Sequence, residues 1–152
     1  MQALSQLLTP GRAACHVPGT SKKRLFETIA KIISEDQVSL PYSQLLSSLI
    51  AREKLGSTGL GQGIAIPHCR IDNCTHAVGT LVTLEEAIDF DAPDGKPVDV
   101  LFVLLVPAEA QQQHLDILAA VAGLFSQQDF CKEIRSAQTN ASLHAIATTW
   151  GS

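Results

Sequence analysis

The sequence predicts an α/β fold: a single-domain layered sandwich in which helices cover both faces of a mixed parallel/antiparallel sheet. Three observations predict it. Val98 to Val106, VDVLFVLLV, is the most apolar run in the chain and reads as a central strand buried on both faces. Ala77 to Leu84, AVGTLVTL, is rich in β-branched residues in rough alternation and reads as a second strand. The remaining apolar residues recur at helical spacing on either side of these two segments. A length of 152 residues, 45% hydrophobic and 17% charged, suits one domain, residues 1–152, able to bury its own core.

Taken in order, Met1 to Val17 is a loosely built lead-in, with a turn at Pro10-Gly11 and a short strand over Ala13 to Val17. Pro18-Gly19 ends it, and Thr20 or Ser21 caps a helix to about Ser34 that turns Leu25, Ile29, Ile32 and Ile33 to one side. A second helix starts at Pro41, buries Leu45, Leu46, Leu49 and Ile50, and stops at Gly56. Between the two strands lies an acidic turn containing Asp89, Asp91, Pro93, Asp94 and Gly95, whose spacing does not match a calcium loop. Pro107 ends the central strand. A helix from Ala110 to Phe125 follows, with Leu115, Leu118, Val121, Ala122 and Phe125 on its apolar face. Two short helices close the chain, Asp129 to Ala137 and, capped by Asn140, up to about Thr148; His144 and Trp150 have no motif context.

The segment that asks for a chemical explanation is Gly56 to Arg70, GSTGLGQGIAIPHCR. Glycines this dense let successive backbone N–H groups turn toward one point and form an anion-binding concavity, which assigns Gly59, Gly61 and Gly63 to phosphate binding. Pro67 stiffens the backbone and pushes Ile66 toward an extended conformation, so His68 is presented beside that nest. A neutral imidazole is a good nucleophile and is well populated near neutral pH. The bland alternative is a glycine-rich turn with a surface histidine. Ser57 and Thr58 are either turn residues or hydroxyl donors to phosphate or to His68. Arg52, in the last turn of the preceding helix, pairs either with Glu53 and the helix C-terminus or with phosphate oxygens. No Gly-Lys-Ser/Thr follows the glycines at Walker A spacing, so ATP is not supported as a phosphoryl donor.

The string GSTGLGQGIAIPH resembles the phosphorylation-site segment of the IIA proteins of the bacterial phosphotransferase system, fructose/mannitol class, and within that class the nitrogen-regulatory type. The resemblance continues through Arg52-Glu53-Lys54-Leu55 and through PVDVLFVLLVPAEAQQQHLDILA, Pro97 to Ala119. It implies the layered α/β fold, phosphorylation of His68, and an arginine, Arg52, close to it. Thr58 matches a site position, and the HLDILA segment implies that His114 is the second active-site histidine; read by itself, His114 is a capping or surface residue in a first helical turn. The implied donor is an HPr-type phosphocarrier, charged by an enzyme I from phosphoenolpyruvate, with no cofactor or metal needed at this step. Implied targets are regulated proteins such as sensor kinases or potassium transporters. A sugar-specific IIA protein would instead pass the phosphoryl group to a IIB domain.

Other classes are weighed on composition. A net charge of -4 argues against nucleic-acid or anionic-membrane binding, and the one basic cluster, Lys22-Lys23-Arg24, reads as a solvated helix surface or a docking patch for an acidic partner. No signal-peptide pattern and no bilayer-length apolar run occur in the 152 residues, so the expectation is a cytoplasmic protein with no membrane insertion. Cys15, Cys69, Cys74 and Cys131 lack a C-x-x-C pair and are expected as free thiols. A zinc or redox site of His68, Cys69, Cys74 and His76 is a rival, as is a pure interaction module in which His68 carries no chemistry.

Overall fold

The computed structural model describes residues 3–18, 21–72, 74–109 and 111–150. The chain runs α1 (Ala3–Leu7), a 3₁₀ turn (Pro10–Arg12), β1 (Ala13–Val17), α2 (Lys22–Asp36), α3 (Tyr42–Lys54), β2 (Gly59–Gly61), β3 (Ile64–Ala65), β4 (His68–Ile71), β5 (Val78–Ile88), β6 (Val98–Pro107), α4 (Gln111–Phe125), α5 (Gln128–Ser136) and α6 (Asn140–Thr149). The strands form one sheet in the order β1-β5-β6-β3-β2, with β4 also on β6. β1 is parallel to β5, β5 antiparallel to β6, and both β3 and β4 parallel to β6, so the sheet is mixed as expected.

The apolar run becomes the central strand because both of its faces are covered. Leu101, Val103 and Leu105 pack with Leu25, Ile29, Ile33, Leu45 and Leu49 from α2 and α3 on one face. Val100, Phe102, Leu104 and Val106 pack on the other with Leu4, Val121, Phe125, Phe130, Ile134 and Leu143. That is the period of two expected of side chains standing on opposite sides of a pleated strand. Ser21 caps α2, its hydroxyl accepting from Arg24 N–H at 3.2 Å. The competing cap Thr20, Gly19 of the predicted stop and Ala110, the predicted start of α4, lie outside the described residues.

Four local expectations need correction. The lead-in is not loose: Leu4 and Leu7, in a helix too short to show its period in sequence, and Leu8 just past its end are buried at 1%, 6% and 6% exposure. Arg12 fastens this segment, its guanidinium donating to the carbonyls of Leu7 and Gly79 and to Asp36 Oδ2. Asn140 is not the cap of α6. Thr139 is, in a capping box with Ser142, while Asn140 Oδ1 accepts from Cys15 N–H at 2.9 Å and ties α6 to β1. β5 extends to Ile88, past the expected Leu84, through a register shift between Thr83 and Ile88. Leu115, assigned to the buried face of α4, is 58% exposed.

Candidate functional site

Three short strands come out of the glycine segment. Gly61 pairs with Ile64 across a two-residue hairpin loop whose central residues, Gln62 and Gly63, have φ of 58° and 85°. Positive φ at both positions is what a tight hairpin matching the sheet twist requires. At Gly63 a Cβ would also come within 2.6 Å of the Arg135 guanidinium and 2.8 Å of the Asp99 carboxylate. The β3–β4 line then breaks at Ile66-Pro67, since proline has no N–H to give to a ladder. Ile66 N–H donates instead to Thr58 O at 3.0 Å, and Leu104 N–H donates to Pro67 O at 2.9 Å.

The break leaves the Ile66 carbonyl for His68. Nδ1 of His68 lies 2.7 Å from Ile66 O. A carbonyl oxygen only accepts, so Nδ1 carries the proton and the lone pair of the neutral ring is on Nε2. Alternation along β4 turns His68 and Arg70 outward and buries Cys69 and Ile71 among residues of the α2/α3 side. His114, in the first turn of α4, stands 5.7 Å from His68 between ring centroids at an interplanar angle of 79°. It is 8% exposed, and its Nδ1 has no hydrogen-bond partner among the described residues.

Arg52 closes the site from the end of α3, with Nη1 donating to Gly56 O at 3.2 Å, one of the guanidinium's five donors. Arg52 and His68 together line two open clefts. One, of about 410 Å³, also has Thr58, Gly59, Leu60 and Leu115 in its wall. The other, of about 550 Å³, adds Leu55, Arg70 and His114. Leu55, Leu60 and Leu115 are 84%, 50% and 58% exposed and form an apolar rim. Here the exposure of Leu115 has its place: one flank of α4 leaves the core and borders the cleft.

The structure thus brings together His68, His114, Arg52, Thr58 and Gly59 of the residues singled out from sequence. It does not bring Gly61 and Gly63 to the cleft. Gly61 sits against Asp94, whose Oδ2 accepts from Gln62 N–H at 2.9 Å, and Gly63 sits against the Arg135–Asp99 ion pair. Neither glycine is among the residues that line the two clefts with His68, and left-handed φ serves a hairpin as well as an anion nest. The Gly59 N–H is also engaged, donating to Ser57 Oγ at 3.1 Å, and Ser57 Oγ donates to Phe90 O at 3.0 Å, which is turn chemistry. The Thr58 hydroxyl donates to Glu53 Oε1 at 2.8 Å, so its hydrogen is committed away from the cleft.

Two residues without an assigned role enter the site. Arg70 lies two positions along the strand from His68, on the same outward face, which alternation would have revealed had Pro67-His68 been read as the start of a strand. Glu53, read from sequence only as a partner for Arg52, is 8% exposed and bonded to Thr58 and Lys22.

Burial holds the His68 pKa below its ordinary value of 6.5; the Ile66 contact and Glu53 pull upward, and Arg52 pushes further down. His114 is lowered as well, by burial first and then by the positive charges of His68 and Arg70. The unfolded chain therefore binds more protons than the folded one as pH drops below about 6.5, and the stability these rings contribute is full above that pH and lost as it falls through their depressed values. The expected result is a melting temperature that declines on acidification from about pH 6.5 to 5, with a smaller decline in His68→Ala, measurable by thermal unfolding across buffers.

Burial pushes the Cys69 thiol up to about 12. A thiol in that state is not a thiolate nucleophile. Among the described residues no three or more His, Cys, Asp or Glu side chains are grouped so as to hold a metal ion, and His76 is exposed beside Thr75. The zinc reading loses its geometric basis.

Residues 6–149 match the family described as phosphoenolpyruvate-dependent sugar phosphotransferase system, EIIA 2. The chain belongs to that family. This EIIA 2 chain is 46% identical over 146 residues to the nitrogen regulatory protein of Pseudomonas aeruginosa, covering 96% of itself and 95% of its relative. It superposes with a TM-score of 0.88 and 40% identity on nitrogen regulatory protein IIA-Ntr from Neisseria meningitidis, covering 95% of its own length and 99% of that chain. Within the EIIA 2 family it is therefore of the nitrogen-regulatory type. The mannitol IIA protein of Escherichia coli, at a TM-score of 0.75 but 11% identity, shares the fold. Among the described residues no helix is long and apolar enough to cross a membrane.

Proposed function

We propose that the protein is a cytoplasmic phosphoryl carrier that accepts a phosphoryl group on Nε2 of His68 from a phosphohistidine donor of the HPr type, and that its phosphorylation state regulates the proteins it binds. The observation that carries this reading is the 2.7 Å contact from His68 Nδ1 to Ile66 O, which leaves Nε2 as the basic nitrogen beside Arg52 and His114. As Nε2 forms its bond to phosphorus, the donor's P–N bond breaks and its electron pair returns to the donor imidazole. The His68 ring becomes a phosphoimidazolium, and the Ile66 carbonyl is placed to accept from the now more acidic Nδ1–H.

Such a transfer passes through a loose transition state with charge on the three equatorial oxygens, so positioning and charge stabilisation do most of the work. Arg52 and Arg70 supply fixed positive charge at the cleft, and His114 lines the same wall. Thr58 and Gly59 line the other cleft that Arg52 and His68 share, rather than donate to phosphate. The apolar rim of Leu55, Leu60 and Leu115 suits a partner that docks by burying surface around a reactive centre. The phosphocarrier, charged by an enzyme I from phosphoenolpyruvate, would dock there. Regulated targets of the sensor-kinase or potassium-transporter kind would compete for the same face.

The test is the site of attachment. NMR of the ¹⁵N-labelled phosphoprotein is expected to show phosphorus coupled to His68 Nε2 with Nδ1 still protonated. Coupling to Nδ1, or to another residue, contradicts the reading. A second reading, transfer to a IIB domain for sugar uptake, draws on a 35% identity over 101 residues to a fructose-specific EIIA component of Haloferax volcanii. It predicts that the phosphorylated protein loses its phosphoryl group to a fructose- or mannitol-type IIB protein, which the regulatory reading does not.

A further inference from the structure

A continuous chain of hydrogen bonds runs from the start of α2 to the His68 ring. Lys22 Nζ donates to Glu53 Oε2 at 2.8 Å. Glu53 in turn accepts from Thr58 twice, from the hydroxyl at 2.8 Å and from N–H at 3.3 Å. Thr58 O accepts from Ile66 N–H at 3.0 Å, and Ile66 O accepts from His68 Nδ1 at 2.7 Å. Lys22 is itself held over the Phe90 ring at 4.4 Å and lies 3.5 Å from Asp91 Oδ2.

A carboxylate exposed by only 8% is an expensive way to fill space, because well-packed apolar residues of similar volume are commonly as stabilising as a buried ion pair. What the carboxylate does that an apolar side chain cannot is fix direction: two hydrogen bonds to one residue set the course of the backbone at Thr58. That backbone holds Ile66, at the Ile66-Pro67 break where β3 and β4 part and regular pairing is interrupted. We infer that Glu53, anchored by Lys22, is a positioning residue that sets the orientation of the His68 ring through Thr58 and Ile66. The same assignment explains part of the basic cluster at the start of α2, since Lys22 is the outer anchor. Its kinetic consequence rests on the phosphoryl-carrier reading; its structural consequence does not.

The experiment compares wild type with Glu53→Gln, Lys22→Met and Lys54→Met. Glutamine keeps the shape of Glu53, but its amide end is a donor and cannot satisfy both Lys22 and the two Thr58 donors. Lys22→Met breaks only the outer link. Lys54→Met removes an exposed charge from the neighbouring position and serves as the control. Two readouts are taken: the ¹H–¹⁵N signal of His68 Nδ1–H without any phosphoryl donor, and the rate of His68 phosphorylation by enzyme I, phosphocarrier and phosphoenolpyruvate.

In Glu53→Gln the Nδ1–H signal is expected to broaden or vanish through faster solvent exchange, and the rate to fall between about tenfold and about a hundredfold, as for an ångström-scale misplacement. Lys22→Met should move both readouts in the same direction by less, and Lys54→Met neither. The inference is overturned if folded Glu53→Gln, or folded Lys22→Met should Glu53→Gln not fold, keeps the wild-type signal and rate. An equal loss in Lys54→Met overturns it too, because the effect would then be one of surface charge. Wild type that takes up no phosphoryl group ends the carrier reading, while the donor-free Nδ1–H signal still tests the positioning role.

Discussion

Arg52→Met is expected to slow phosphorylation of His68 by about 10²- to 10³-fold, the range seen when one preorganised donor to a developing charge is removed. Among the described residues Arg52 is the one side chain that lines both clefts with His68, and its planar fork can meet two equatorial oxygens at once. The loss should be measured at pH 8 by the time course of intact mass. Arg52 also lowers the His68 pKa, so its removal raises that value, and pH 8 is chosen to stand well above the ordinary imidazole value of about 6.5. Arg52→Lys should recover only part of the rate, since an ammonium supplies charge without the fork. A wild-type rate in Arg52→Met would remove Arg52 from the mechanism and return it to its bond with Gly56.

Phe102→Ala is expected to cost about 3–5 kcal/mol of stability, the usual range for a buried phenylalanine. Phe102 is fully buried in the middle of the central strand and packs 5.7 Å from the Phe125 ring at 43°. The site cannot collapse easily around the truncation. Gly79, on the neighbouring strand, lies so close that even a Cβ there would come within 2.5 Å of the Phe102 ring, and a glycine offers no side chain to refill the space. At about 2–4 °C per kcal/mol for a chain of this size, the melting temperature should fall by roughly 6 to 20 °C. A denaturant midpoint that moves with an unchanged slope would assign the loss to the folded state. A shift of only a degree or two would mean that α4 and α5 repack over the sheet.

What could be read from the sequence divides along physical lines. Strand β6 and helices α2 and α3 were legible because their faces are decided by burial, and burial imposes a period that a single sequence displays. The pairing of His68 with His114 and Arg52 was not legible from spacing, since these residues come from β4, α4 and α3; the family resemblance brought them together. The glycine segment was half legible. A glycine at positive φ announces an unusual backbone but not its purpose, and Gly61 and Gly63 serve a hairpin against Asp94 and the Arg135–Asp99 pair. Thr139 and Asn140 are adjacent residues that can both cap a helix; Thr139 does so in a box with Ser142, and Asn140 is taken by Cys15 N–H on β1. Glu53 reads in sequence only as a partner for Arg52, because a buried carboxylate looks the same in sequence as one on a solvated helix.

The proposed function turns on a phosphoryl group carried by His68. Intact mass after incubation with phosphoenolpyruvate, enzyme I and an HPr-type phosphocarrier, on wild type and His68→Ala, tests it most directly. One acid-labile phosphoryl group is expected on the wild-type chain and none on His68→Ala. No uptake by folded wild type from a competent donor, or equal uptake by the variant, would contradict it.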